Sequence, residues 1–481
     1  MFERSNLKTK LISAVASAAL VVGLVPLPAF AATDNGGADA PATGASTPLT
    51  VGTIAESAEL QGVGAQSTEP VVVHSWTELQ NAVSNAGNGA VIQLGGNIVN
   101  TENKDRIKVE GSKSITIDLN GKTLNRNNSS VKDNGHVIEV FNGATLTIKD
   151  SSSTETSPGV GEPGTGMITG GYSKRGGGIY VNEGGTLRIE SGTITGNHAK
   201  EYGGGIFVKG RLETTGGVVS ANTAERTGGG IHLDPKGTVE LKNTTISGNQ
   251  ALKTGGGIEL DQEANATIEG CKIASNRSGG NGGGLRMDTE GYRLTLDNTD
   301  FEHNSSGGDG AGIYLNWGTI EMNGGSLSEN SSSCGAGGIK VTRKTTFMAT
   351  GVAISKNHAE TEEGGGVKNH GTTTLANCRI NDNIAKNEGG GVYTNDDGDV
   401  ESLLTVRSCT ITGNTSESHG GGIYSGCNIA LVGGGLTGVP VTITGNTAHK
   451  GGGVFIGSAS ERAEISGAIE MTDNTADYGL N

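Results

Sequence analysis

The sequence predicts an all-β solenoid, a right-handed single-stranded parallel β-helix, and three observations predict it. First, eleven small-residue triplets, each followed by an aliphatic residue, open at Gly176, Gly203, Gly228, Gly255, Gly282, Gly310, Ala336, Gly364, Gly389, Gly420 and Gly451, their last glycines 25 to 31 residues apart. A period in that range marks units that bury their apolar faces by stacking on one another. Second, Asn recurs with the same period, at Asn197, Asn222, Asn249, Asn276, Asn304, Asn330, Asn357, Asn383, Asn414, Asn446 and Asn474. Three positions before each stands an apolar residue, from Ile194 and Val219 through to Met471, and two positions after it an Ala or Ser. Third, runs such as Thr186-Leu187-Arg188-Ile189 and Thr238-Val239-Glu240-Leu241 alternate with period two, as short strands do. A helical repeat would need a 3.6-residue period and would not tolerate three glycines in every unit.

In such a coil three short strands lie on the turn below at about 4.8 Å, so residues one period apart become neighbours in columns. The chain has room for about 15 coils, a stack of roughly 70 Å. Stacked Asn side chains can bond their copies above and below, which satisfies amides that would be costly to bury alone. That makes the Asn column structural.

Taken in order, the elements begin with a leader. Arg4, Lys8 and Lys10, the apolar run from Leu11 to Leu27, and Ala29-Phe30-Ala31 read as a signal peptide over 1–31, which makes the protein exported. Pro26 and Pro28 break the apolar run and no second span follows, so no transmembrane segment is expected. Residues 32–70 are a low-complexity linker of Ala, Gly, Thr, Ser and acidic residues. Residues 71–175 read as an N-terminal cap and irregular first coils. Ser75-Trp76-Thr77-Glu78 is a capping box, and Trp76, Leu79, Ala82, Val83 and Ala86 share one face of a short helix that would cover the end of the stack. The stretch from Ser151 to Gly166 reads as a surface insertion. Regular repeats fill 176–481, and Asp477-Tyr478-Gly479-Leu480-Asn481 stops in mid-turn, so the chain reads as truncated, with a C-terminal domain or anchor lying beyond it.

Two resemblances then become specific. The Gly-Gly-small-aliphatic element paired with apolar-x-x-Asn, including Phe301-Glu302-His303-Asn304, resembles the repeats of polymorphic outer-membrane-protein adhesins. The segment from Trp76 through Ile117-Asp118-Leu119-Asn120-Gly121-Lys122-Thr123-Leu124 is similar to the start of pectate-lyase-like β-helix proteins displayed on bacterial surfaces. Together they cover about 71–481. They imply the fold and an extracellular role, often adhesion, and transfer no substrate, because this architecture hosts lyases, hydrolases and non-enzymatic adhesins alike.

Function is therefore sought on the outward columns. Two residues after each triplet stand Tyr180, Phe207, His232, Glu259, Arg286, Tyr314, Lys340, Lys368, Tyr393, Tyr424 and Phe455, and six of these eleven are aromatic in a chain that is 4% aromatic. With mostly aliphatic residues on either side, this column is expected to face solvent. Its Tyr and Phe would then form a platform for sugar rings, and Lys340 and Lys368 would meet acidic groups. The bland alternative is that rings stack well along a sheet face. Three coils interrupt the ribbon, and there Asp234, Asp261 and Asp288 would stack beside His232, Glu259 and Arg286. Like charges so placed repel. A bound Ca²⁺ or a shared proton would relieve them, and Arg286 would serve as base or oxyanion partner. The plainer explanation of this patch is turn chemistry, since Asn182, Asn316 and Asn395 share the Asp column.

The formal charge of −15 argues against nucleic acid as a partner. No cofactor is called for apart from that possible Ca²⁺. Of five cysteines, Cys378 and Cys409 fall in successive coils at a marginal geometry for a bridge. The sequence favours an adhesin that binds polysaccharide, or a host surface glycan or protein, without catalysis. The competing readings are a polysaccharide lyase or glycoside hydrolase acting on acidic polysaccharide through Asp234, Asp261, Asp288 and Arg286, and a structural stalk for a missing domain.

Overall fold

The computed structural model describes residues 69–152, 165–261, 265–398, 400–434, 438–457 and 462–478, all inside one compact unit spanning Gln66–Asn481. The expected leader, nearly all of the linker and the middle of the Ser151–Gly166 insertion lie outside the described residues.

The fold is an all-parallel β-solenoid. One coil shows the plan: strands Ile179–Val181, Thr186–Ile189, Thr193–Thr195 and His198–Tyr202 follow one another. The next coil repeats them in register, with Ile179 opposite Ile206, Leu187 opposite Leu212, Ile194 opposite Val219 and Ala199 opposite Ala224. Repetition builds three sheets, of 26, 14 and 12 strands among the described residues. The broadest takes two strands from most coils, because a turn such as Asn182–Gly185 divides its face. The 14-stranded sheet, one strand per coil, sets the coil count slightly below the fifteen expected.

Ile, Val and Leu columns fill the interior. The apolar residue three before each Asn is at most 1% exposed from Ile194 to Ile443, which contributes roughly 2 kcal/mol of transfer free energy per fully buried Ile or Leu. Met471, in the last described coil, is 45% exposed, since no described coil lies beyond it.

The Asn column turns the corner between the 14- and 12-stranded sheets. Asn249 Nδ2 donates to Asn276 Oδ1 at 3.0 Å and to the Val219 carbonyl at 2.9 Å, while Asn249 N also reaches Asn276 Oδ1 at 3.0 Å. The same side-chain link runs unbroken from Asn197 to Asn474. The residue before each Asn is left-handed whether it is Gly196 or Gly248, or a side-chain-bearing residue such as His303, Glu329 or Lys356. At the opposite corner the triplets need glycine for a second reason. A Cβ on Gly257 would lie 2.6 Å from the Gly284 carbonyl oxygen, so the third glycine sets how closely successive backbones approach.

The helix Trp76–Asn85 covers the first coil with Trp76, Leu79 and Val83 buried. Ser75 Oγ accepts from Glu78 N, and Glu78 Oε2 reaches back one residue further than a capping box does, to His74 N at 2.8 Å. Trp76 Nε1 donates to the Asp105 carbonyl and Lys113 Nζ to the Val83 carbonyl, pinning both helix ends to the coils. All five cysteines are free thiols, with the Cys378 amide 3.3 Å from Cys409 Sγ. No helix among the described residues is long and apolar enough to cross a membrane.

Candidate functional site

Each triplet opens with a residue of positive φ, from 58° at Ala336 to 74° at Gly364. That turn folds the end of the 12-stranded sheet back toward the broad sheet. The residue before the triplet then faces the residue two after it. Tyr202 packs on Phe207 at 6.4 Å between ring centres, Thr227 Oγ1 lies 3.0 Å from His232 Nδ1, and Glu363 lies 2.9 Å from Lys368 Nζ. The result is a re-entrant strip along the stack with three kinds of lining. Its wall carries Arg175, Tyr202, Asp309, Glu363 and their equivalents, its floor the expected column, and its other side the residues from Asn182 and Asp234 to Asn395.

This geometry corrects the expected exposure. Phe207, His232, Glu259, Lys340, Lys368 and Tyr393 are each no more than 8% exposed. Tyr180, Arg286, Tyr314, Tyr424 and Phe455 are half-buried. The wall covers them from one side and their own copies from above and below. Tyr393 stacks on Tyr424 at 5.2 Å and 9°, Tyr424 on Phe455 at 5.7 Å and 14°, and Phe207 on His232 at 5.3 Å and 10°. Rings stacked this way give their faces to each other and show only edges and hydroxyls to solvent, so a run of open faces for sugar stacking is absent from this column. The column also extends beyond its expected start, because Lys108 and Glu139 stand in register below Tyr180. They were not read from the sequence because no triplet precedes them, although Ile138-Glu139-Val140 carries the same apolar-x-apolar signal.

The three-coil interruption comes together as an ion-pair cluster. Arg286 pairs with Glu259 and, at 2.6 Å, with Asp288, whose other oxygen accepts from Asn316 Nδ2 at 2.9 Å. Asp234 faces Lys209 at 3.7 Å, and Asp261 lies 3.8 Å from His232 Nε2. Cationic side chains thus face Asp234 and Asp288, where a bound cation was one expectation. Among the described residues no group of three or more His, Cys, Asp or Glu is placed to hold a metal ion. Burial pushes the Glu259 carboxyl up to about 7 and holds His232 down to about 3, which leaves His232 neutral.

Three coils on from Arg286, Lys368 pairs with Glu362 at 2.7 Å, Glu363 at 2.9 Å and Asp309 at 3.7 Å. Burial opposes its charge, but these carboxylates outweigh it and hold the Lys368 amine above its ordinary range. Lys340, in register below, has no such partner among the described residues. Burial, reinforced by the Lys368 charge, brings its amine down to about 8.

Comparison with known proteins fits this architecture. Residues 127–282 and 166–327 match the family described as right handed beta helix region, and with the parallel sheets above this makes the chain a right-handed parallel β-helix. One of its repeats, residues 408–426, which hold the Gly420 triplet and Asn414, matches the Chlamydia polymorphic membrane protein repeat. No curated protein and no solved structure matches the chain.

Proposed function

We propose that this protein is an exported, surface-displayed adhesin-like β-helix that binds glycans or host surface molecules lengthwise along the re-entrant strip, without catalysis. The observation that carries the reading is the continuity of the strip. Equivalent positions recur at one coil rise, about 4.8 Å, so a polymer whose units repeat near that spacing can lie in step with the strip. The polymorphic membrane protein repeat supports surface display, and the basic, apolar and Ala-Phe-Ala segments of residues 1–31 support export.

One observation favours an acid–base reading, namely the near-neutral carboxyl of Glu259 beside Arg286 and Asp288. Binding is preferred because Glu259 is 1% exposed and lies beneath Arg286, where it touches no polysaccharide. A stalk for a further domain predicts neither binding nor turnover.

The test is retention on a panel of immobilised neutral and acidic glycans, with soluble polygalacturonate and Ca²⁺ assayed for new reducing or unsaturated ends. Retention without turnover is expected, weakened by Tyr393→Ala combined with Tyr424→Ala, which removes two hydroxyl edges. Turnover that disappears in Asp261→Ala would replace the adhesin with an enzyme.

A further inference from the structure

One pair of coils breaks the repeat. In the other described coils a break separates the two strands given to the broad sheet, a turn in most and Cys427 alone between Ile423–Gly426 and Asn428–Val432, whereas at Leu285–Asp297 and Ile313–Asn323 the strand runs straight through. The register slips there, since Met287 lies opposite Leu315 but Asp288 lies opposite Trp317. Asn316 is the extra residue of a bulge, and bulges re-aim side chains. Here Asn316 and Trp317 are both brought beside Asp288.

Trp317 is half-buried. Unlike Tyr393, Tyr424 and Phe207, it has no ring or cation against its faces among the described residues, and its indole N–H has no acceptor there. Asp288 is held from two sides, by Arg286 Nη2 at 2.6 Å and Asn316 Nδ2 at 2.9 Å. A partly exposed indole and a carboxylate held from two sides thus coincide with an irregular coil pair on this face.

We propose that Trp317, with Asp288, Asn316 and Arg286, forms a stacking subsite for one neutral pyranose unit of the bound glycan. The proposal rests on the strip being the glycan-binding surface. A pyranose offers an apolar C–H face to the indole and, at its rim, hydroxyls that donate to Asp288 and accept from Asn316 and Arg286. Neutrality follows from the charges. Asp234, Asp261 and Asp288 line this stretch, and Arg286 already faces both Glu259 and Asp288, so a uronate carboxylate would meet net repulsion.

The protein carries its own reporter, because its only other tryptophan, Trp76, is 4% exposed under the cap helix. Full-length Trp76→Phe protein is titrated with neutral gluco-, galacto- and manno-oligosaccharides and with oligogalacturonate, following emission and acrylamide quenching. Should Trp76→Phe fold poorly, the acrylamide-accessible fraction of the wild-type emission reports the same residue. A neutral oligosaccharide is expected to shift and protect Trp317, to bind about tenfold more weakly to Trp317→Ala, and to bind within about threefold of normal to Trp317→Phe. A glycan bound equally well by Trp317→Ala, with Trp317 emission unchanged, overturns the subsite and leaves the strip standing. Preference for oligogalacturonate overturns the neutral class. Failure of every glycan to bind overturns the strip reading, and the subsite falls with it.

Discussion

Lys340 and Glu259 stand in the same column, and each is a charge buried at a cost. The Glu259 carboxyl has an ordinary value of 4.5 and lies near 7 in the fold. Below both values it is protonated in either state and contributes nothing to the pH dependence. Between them the folded protein keeps a proton that the unfolded chain releases, so stability falls as pH rises through that window, by roughly 3 kcal/mol in all. Glu259→Gln is expected to flatten this slope in thermal melts taken across the window, and an unchanged slope would refute the assignment.

The Lys340 amine runs the other way, from an ordinary 10.5 down to about 8 in the fold. At pH 7 it is charged in both states and lacks a partner when folded. Lys340→Met is therefore expected to raise stability at pH 7 by about 1–3 kcal/mol. The wild type should regain that difference as pH climbs from about 8 to 10.5 and the folded amine sheds its proton first. Denaturant midpoints at pH 7 and 10 measure it, and a variant less stable at pH 7 would count against the account.

At the scale of the element, each coil depends on groups its neighbours supply. Asn276 Oδ1 accepts from both nitrogens of Asn249, and its Nδ2 donates to the Ile246 carbonyl and Asn304 Oδ1. Asn276→Asp keeps the acceptor and loses both donations, so it should cost about 3 kcal/mol or more, read from urea unfolding. A cost well under 1 kcal/mol would mean that the amide file is ornamental. This file and the coil it defines were legible in the sequence, because each Asn marks one corner and the period is carried by residue type alone. The burial of Tyr393 and Phe207 was not, since period-two alternation says only that a side chain points away from the core. What covers Phe207 is Tyr202 on the neighbouring sheet, brought over by the positive φ of Gly203, which the sequence marked as a corner without giving its direction. Trp317 escaped notice for a related reason: its placement beside Asp288 depends on a one-residue slip, and a slip is invisible in a pattern read coil by coil.

For the whole molecule, stacking makes stability a sum over coils and their interfaces. The charged cluster around Arg286 and the one around Lys368 lie in nearby coils on one face, yet each is closed by its own ion pairs, so substitutions in the two are expected to add. The strip joins them into one surface without joining their energetics.

The amide file has a further property. Every one of its links points the same way, with Nδ2 of the earlier Asn donating to Oδ1 of the later, from Asn197 through Asn446. Side-chain dipoles that would cancel in a disordered set instead lie head to tail, as peptide units do in an α-helix. The file of side chains is thereby polar along the stack, and its oxygen end at Asn197 is capped by the Gly171 amide at 3.0 Å, a donor that the preceding coil supplies.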